Sequence, residues 1–434
     1  METFDSAPET LAKIIAAHAS PEKCRNGIIV RDVFGRLTFV TTTSVTETVT
    51  RRAHADLAGF VDPRDAVVLK LREDSPTWRQ LCAEPSTRLA FSSDRNDVVR
   101  LIDRRLAGEE WLLRPKQLID QGPKRLIFYS LKGGVGRSTA LCVTAADLAD
   151  SGLKVLVVDL DLEAPGLGSL LLTKDRMPEF GVVDWFASAA VGGDPSALEP
   201  RMVATSDLTS TRAVVDVIPA AGRRSNPSPG SYLAKLARAY TPGSAGTTFA
   251  EKGFAEKLGA MIDGVAGLRS YDVVLIDARA GLHETSGAIL LGLGARVLLF
   301  GVDGSQTFDD YDLLLSMLAN TFSPESGNTD LRSAFKMVHA KAPTDPKDLP
   351  SFINKSWNLW VDHLYDEVGP DAGSDVFAFD LLDESGPHFP LVIMGDPQFG
   401  RFDPRFAAHH LQARTYDAAF GDFIAGVRRA LELT

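Results

Sequence analysis

The stretch LIFYSLKGGVGRSTALCVTAADLA, Leu126 to Ala149, gathers residue types that can hold a polyphosphate. An apolar strand runs into a glycine-rich turn, and a helix follows. Gly133, Gly134, Val135 and Gly136 let the backbone wrap phosphates with its N–H groups turned inward, and the helix N-terminus adds partial positive charge. The Ser138 hydroxyl is placed for Mg²⁺, and Thr139 for the α-phosphate of a nucleoside triphosphate. The pattern G-x-x-x-x-G-K-[ST] is met only in part. Leu131 stands where the first glycine belongs, Arg137 fills the lysine slot, and Lys132 opens the loop. Two later apolar runs end in carboxylates: VLVVDLDLEAPGLG in Asp159 and Asp161, and YDVVLIDARAG in Asp277. Ligands bind at that C-terminal edge of a parallel sheet.

The elements that must position these groups read as a doubly covered α/β sheet. Short, nearly continuous apolar runs lie at Leu126–Ser130, Lys154–Asp159, Ala213–Pro219, Tyr271–Asp277, Ala295–Val302, Phe335–Ala340 and Pro390–Met394. Helical patterns alternate with most of them, at Ser138–Ser151, Phe254–Leu268, His283–Leu291 and Thr307–Leu318, with a last helix over Thr415–Leu433. Gly-, Pro- and Ser-rich runs at Ala221–Ser231 and Thr241–Thr248 read as loops. Residues 1–114 form a smaller α/β domain, with strands at Gly27–Val30, Arg36–Val40 and Ala66–Leu71. Its helices are predicted around Leu11–Ala17, Val45–Phe60, Pro76–Ala83 and Asn96–Leu106. A polar segment, 115–124, reads as the linker to a second domain over 125–434.

Lys132-Gly133-Gly134-Val135-Gly136-Arg137-Ser138-Thr139, with the two aspartate motifs following in order, resembles the deviant phosphate loop of ParA/MinD-like P-loop ATPases. The resemblance covers about Arg125 to Thr434. It implies a P-loop domain with a mainly parallel sheet flanked by helices, ATP and Mg²⁺ as ligands, and a homodimer with ATP sandwiched at its interface. Carried over, Lys132 reaches the phosphates of the partner subunit's nucleotide, Asp161 orients the attacking water, Asp159 supports Mg²⁺, and Asp277 holds Mg²⁺ as the Walker B aspartate. Two departures stand out. Arg279 replaces the proline of the family's Asp-x-Pro-Ala-Gly segment, where it is a surface residue or a phosphate or partner contact. His339 occupies the slot where relatives carry a base-reading asparagine, and a lone histidine there is more often a packing residue.

Arg137 keeps the charge of the lysine it replaces but not its geometry. Phosphoryl transfer depends on charges placed at the moving γ-phosphoryl group, so a misplaced cation costs on the order of a hundredfold in rate. The expectation is an ATP-binding, slowly hydrolysing switch that recruits a partner through its N-terminal domain. The alternative is a non-hydrolysing sensor or scaffold.

The totals exclude other classes. In 434 residues there are 57 acidic and 46 basic side chains, net −11, so a global field for nucleic acid is absent. DNA binding through Arg223, Arg224, Arg401, Arg405 and Arg414 is therefore disfavoured. Cys24, Cys82 and Cys142 are far apart and fit a reducing, cytoplasmic setting without a zinc signature. The opening METFDSAPETLAKII does not read as a signal peptide, and no run is long enough to span a membrane. The polar face of the last helix mixes Asp417, Asp422 and Glu432 with Arg428 and Arg429, which favours packing on the sheet over membrane binding.

Overall fold

The structure is a computed structural model that describes residues 2–62, 64, 66–84, 86–92, 97–104, 109–209, 212–225, 229–240, 252–319, 321–322, 331–368 and 376–433. It divides into two compact units, Met1–Glu109 and Glu110–Thr434.

In the first unit, strands β1 (Ile28–Arg31), β2 (Leu37–Thr41), β3 (Val68–Lys70), β4 (Thr87–Ala90) and β5 (Val98–Asp103) form a mixed sheet in the order β3-β2-β1-β5-β4. One face carries the larger core, with Leu11, Ile15, Phe39, Val49 and Leu101. The other face is smaller, with Val30, Val40, Leu81 and Ile102. The helix expected over Asn96–Leu106 is instead strand β5 where described, paired parallel to β1 and antiparallel to β4. Val98, Val99, Leu101 and Ile102 satisfy the helical template as well as the extended one. Neighbours on both edges and cores on both faces decide for the strand. Val99 and Leu101 enter one cluster and Ile102 the other, which is the period of two.

The second unit holds β6 (Lys124–Ser130), β7 (Val155–Asp159), β8 (Ala204–Thr205), β9 (Val215–Ile218), β10 (Val273–Asp277), β11 (Arg296–Gly301), β12 (Phe335–Ala342) and β13 (Leu391–Met394). The order is β13-β12-β11-β6-β10-β7-β9-β8, parallel throughout except for β8. Every residue of β7, β9 and β10 is buried because both faces are covered. Helices Arg137–Asp150 and Ala413–Ala430 pack on one face. Helices Val182–Ala190, Phe254–Leu268, Glu284–Gly292, Ser305–Ala319 and Leu349–His363 pack on the other.

The last helix buries Tyr416, Phe420, Phe423, Ile424 and Val427, and Arg428 ties it to Asp147 with Nε–Oδ2 at 3.0 Å. Its apolar stripe is thus covered by protein. Among the described residues no helix is long and apolar enough to cross a membrane.

Among the described residues, three α-helices of eight residues or more have no counterpart in the sequence reading: Val182–Ala190, Pro229–Tyr240 and Leu349–His363. The second begins inside the predicted Ala221–Ser231 loop, because a proline that breaks a helix interior is favourable in a first turn. The predicted loop Thr241–Thr248 lies outside the described residues. The polar run before β6 is hydrogen bonded along the second unit, with Lys116 N–H to Leu291 O at 2.7 Å and Ile119 N–H to Gly294 O at 3.1 Å. Trp111 is buried there and donates Nε1–H to His283 O at 3.0 Å.

Candidate nucleotide site

β6 lies between β11 and β10, so the loop that leaves it opens at the middle of the sheet's C-terminal edge. Gly134 and Gly136 have φ of +76° and +94°, a region open to glycine and strained for side chains. These two positions give the loop its wrap, and Gly136 serves as N-cap of helix Arg137–Asp150. That helix is long enough to present a positive N-terminus to an anion.

Arg137 does not stand free over the loop. Its side chain is 9% exposed. Nε–H donates to Asp277 Oδ1 at 2.6 Å, Nη1–H to Ser130 Oγ at 3.0 Å, and Nη2 lies 3.5 Å from Asp161 Oδ2. Burial works against its charge. Asp277, by field and hydrogen bond, and then Asp161 and Asp159 outweigh burial and raise its pKa. The neighbouring Ser138 donates Oγ–H to the other Asp277 oxygen at 2.7 Å. Hydroxyl and carboxylate oxygens at that spacing suit a hard cation completed by phosphate oxygens and water. Among the described residues no cluster of three or more His, Cys, Asp or Glu forms a metal cage, and such a cation needs none.

Asp159 and Asp277 are register partners on adjacent parallel strands. Burial, followed by the charge of Asp277, pushes the Asp159 carboxyl up to about 7. Its oxygens accept the backbone N–H groups of Asp161 at 3.2 Å, Gly166 at 3.3 Å and Leu167 at 3.1 Å, which folds the DLDLEAPG segment back on the strand end. Asp161 is half-buried. Burial raises its carboxyl, Arg137 pulls it down, and Asp277 raises it again. Lys132 is well exposed and forms an ion pair with Asp310 at 3.1 Å.

A cavity of about 520 Å³ opens beside the loop. Ser130 and Gly133 to Thr139 form one wall. Lys341, Ile393 to Asp396, Phe399, Gly400, Phe402 and Phe420 form the other. The lining combines charged and hydrogen-bonding groups with apolar and aromatic ones, as a nucleotide requires. The sequence places Met337-Val338-His339-Ala340-Lys341 at the slot of the base-reading asparagine and marks Ile393-Met394-Gly395-Asp396-Pro397 as a late strand and loop, but Phe399 and Phe402 carry no motif. The one signal for them is their closeness to the end of β13.

His339 does not line this cavity. It is 1% exposed, its ring stacked 4.2 Å from Phe352, and burial lowers its imidazole to about 4. It is a packing residue between the sheet and helix Leu349–His363, as a lone histidine there suggests.

The segment after β10 is tied to the segment after β7. Arg279 Nη1 lies 2.5 Å from Glu163 Oε1, Tyr240 donates its hydroxyl to the same oxygen at 2.5 Å, and His283 Nε2 is 3.5 Å away. Arg279 is therefore ion-paired within the chain.

The sequence matches the family described as the CobQ/CobB/MinD/ParA nucleotide binding domain over residues 126–347, just over half of the 434 residues. No curated protein matches the chain. Among solved structures, pNOB8 ParA bound to nonspecific DNA is 16% identical, with 71% of this chain and 99% of that chain covered and a TM-score of 0.44. A Cyanothece McdA variant in complex with ATP is 16% identical, covering 72% and 98%, with a TM-score of 0.44. The MinD cell division protein of Aquifex aeolicus is 15% identical, covering 70% and 96%, with a TM-score of 0.41. The family match takes in the loop, both aspartate motifs and the strand that carries Lys341, and the chain belongs to the CobQ/CobB/MinD/ParA family of nucleotide-binding proteins.

Proposed function

We propose that the chain is an ATP-operated switch. ATP with Mg²⁺ binds the loop from Lys132 to Thr139, closes a homodimer, and is hydrolysed slowly, and residues 1–114 engage a partner in one of the two states. The observation that carries this reading is the convergence of Arg137, Ser138, Asp161 and Asp277 at one loop on the sheet edge. Gly133, Gly134, Val135 and Gly136 cradle the phosphates, and Thr139 meets the α-phosphate. Ser138 and Asp277 hold Mg²⁺, which bound there supplies charge neutralisation at the phosphates. Asp159 acts behind them: its oxygens take backbone N–H groups, so it supports the Mg²⁺ site by fixing the loop that carries Asp161. Asp161 orients the attacking water, and Lys132 crosses to the partner's nucleotide.

One observation favours the second reading, a nucleotide sensor that does not turn over. Three nitrogens of Arg137 already face Asp277, Ser130 and Asp161, so its charge is directed at the protein's own groups. DNA as a partner draws less support. Arg224 pairs with Glu179 and Arg405 with Asp403, leaving less uncommitted charge for phosphates.

Light scattering on the full chain, with and without ATP–Mg²⁺, combined with phosphate release in the same samples, tests the proposal. The switch requires ATP-dependent dimers and release slower than about 10 s⁻¹, a median enzyme turnover. Binding without dimers or release selects the sensor.

A further inference from the structure

We infer that Lys341 is a phosphate-contacting residue of this nucleotide site, reaching the loop from the opposite wall of the cavity. The inference rests on the ATP-binding reading above and adds a residue to it.

Lys341 lies in β12, 207 positions after Gly134, yet its Nζ–H donates to Gly134 O at 2.6 Å. Two features of the backbone bring it there. The pairing of β12 with β13 shifts register between His339 and Ala342, a bulge that bends the strand. Within that bulge Lys341 has φ of +54°, the left-handed region that disfavours side chains other than glycine. Bulges beside functional sites re-aim side chains, and an unfavourable φ persists only where the surroundings enforce it. Without the irregularity the strand's alternation would set residue 341 by the sheet's period instead of by the loop.

The charge around the loop gives that position a purpose. Among the described residues, Arg137 and Lys341 are the cations that line the cavity. Arg137 is turned into Asp277, Asp161 and Ser130, and Lys132 is paired with Asp310. Lys341 is exposed and makes its bond to a loop carbonyl, a neutral acceptor. An ammonium has three N–H donors, so the bond to Gly134 fixes its place while the others meet phosphate oxygens. The ligand class is a nucleoside di- or triphosphate, and Lys341 supplies a charge that the lysine slot, filled by Arg137, directs elsewhere.

The test is calorimetric titration of the full chain with ATP–Mg²⁺, using Lys341→Gln, Lys341→Gly and Lys341→Arg, with a thermal melt of each. Lys341→Gln and Lys341→Gly should weaken ATP by about tenfold or more, while Lys341→Arg retains most of the affinity. Lys341→Gly should melt no lower than wild type, since glycine accepts the left-handed backbone without strain. Loss of ATP from a variant that is at least as stable separates a ligand contact from a structural one. Wild-type affinity in Lys341→Gly overturns the inference and leaves the ATP-binding reading intact. Equal losses in Lys341→Gly and Lys341→Arg also overturn it, because shape and not charge would then matter. A wild-type chain that binds no ATP sinks the functional proposal itself, and this inference with it.

Discussion

Arg137 and Ser138, adjacent in the loop, grip the two oxygens of Asp277: Nε to Oδ1 at 2.6 Å and Oγ to Oδ2 at 2.7 Å. The cation in the lysine slot is thereby bound to the carboxylate proposed above to hold Mg²⁺. Arg137→Lys shortens the donor set to one ammonium and releases Asp161. Phosphate release at saturating ATP should rise by about tenfold or more. An unchanged or slower rate would show that the guanidinium is not what limits turnover. Arg137→Ala strips the charge from a buried cluster of carboxylates and should cost roughly 3–5 kcal/mol in urea unfolding.

Asp310 forms an ion pair with Lys132. The pair is partly exposed and so contributes little to stability. Asp310→Asn should leave urea unfolding within about 0.5 kcal/mol of wild type and shift the ATP-dependent dimer to several-fold lower protein concentration. Lys132→Ala should abolish that dimer. Light scattering across a dilution series reads both, and dimers that persist in Lys132→Ala would remove the cross-subunit role.

The buried imidazole of His339 sets an acid limit. Its pKa falls from 6.5 to about 4, with burial the main cause and Asp303 opposing. Above 6.5 neither the folded nor the unfolded chain holds the extra proton. As the pH drops from there towards 4, the unfolded chain takes up a proton that the folded chain refuses. Stability is therefore lost on acidification, by roughly 3 kcal/mol from this group. The stability gap between wild type and His339→Phe should change by about that much between roughly pH 7 and pH 4 in urea titrations. A gap that stays constant would mean the imidazole is not held neutral.

Gly222 closes the segment VIPAAG, which begins in β9 and leaves it at Pro219. A Cβ there would lie 2.4 Å from the carbonyl carbon of Phe180 and 2.5 Å from Glu179 O, both backbone atoms that cannot step aside. Gly222→Ala should destabilise the second unit by roughly 1–3 kcal/mol, read as a lower urea midpoint with unchanged slope.

The layers of the second unit are legible in the sequence because covered parallel strands announce themselves as unbroken apolar runs. The loop is legible because glycine, serine and charge must sit at fixed spacing to wrap a phosphate. The wall opposite is not. Lys341 reaches the site through a bulge and a left-handed φ, neither of which has a residue-type signal when the residue is lysine. His339 shows the converse, a polar residue at a suggestive place whose ring packs on Phe352. In the first unit, Val98 to Asp103 fits two periods at once, and only its neighbours β1 and β4 resolve it.

Glu163 joins two segments that leave different strands. It follows β7, while Arg279 and His283 follow β10, and all three meet at one carboxylate oxygen that Tyr240 also shares. Neither segment can be displaced far alone without forfeiting the partly buried Arg279–Glu163 ion pair. The two form a single mechanical linkage. Through His283, the N-cap of helix Glu284–Gly292, that linkage ties the segment after β7 to the start of the helix.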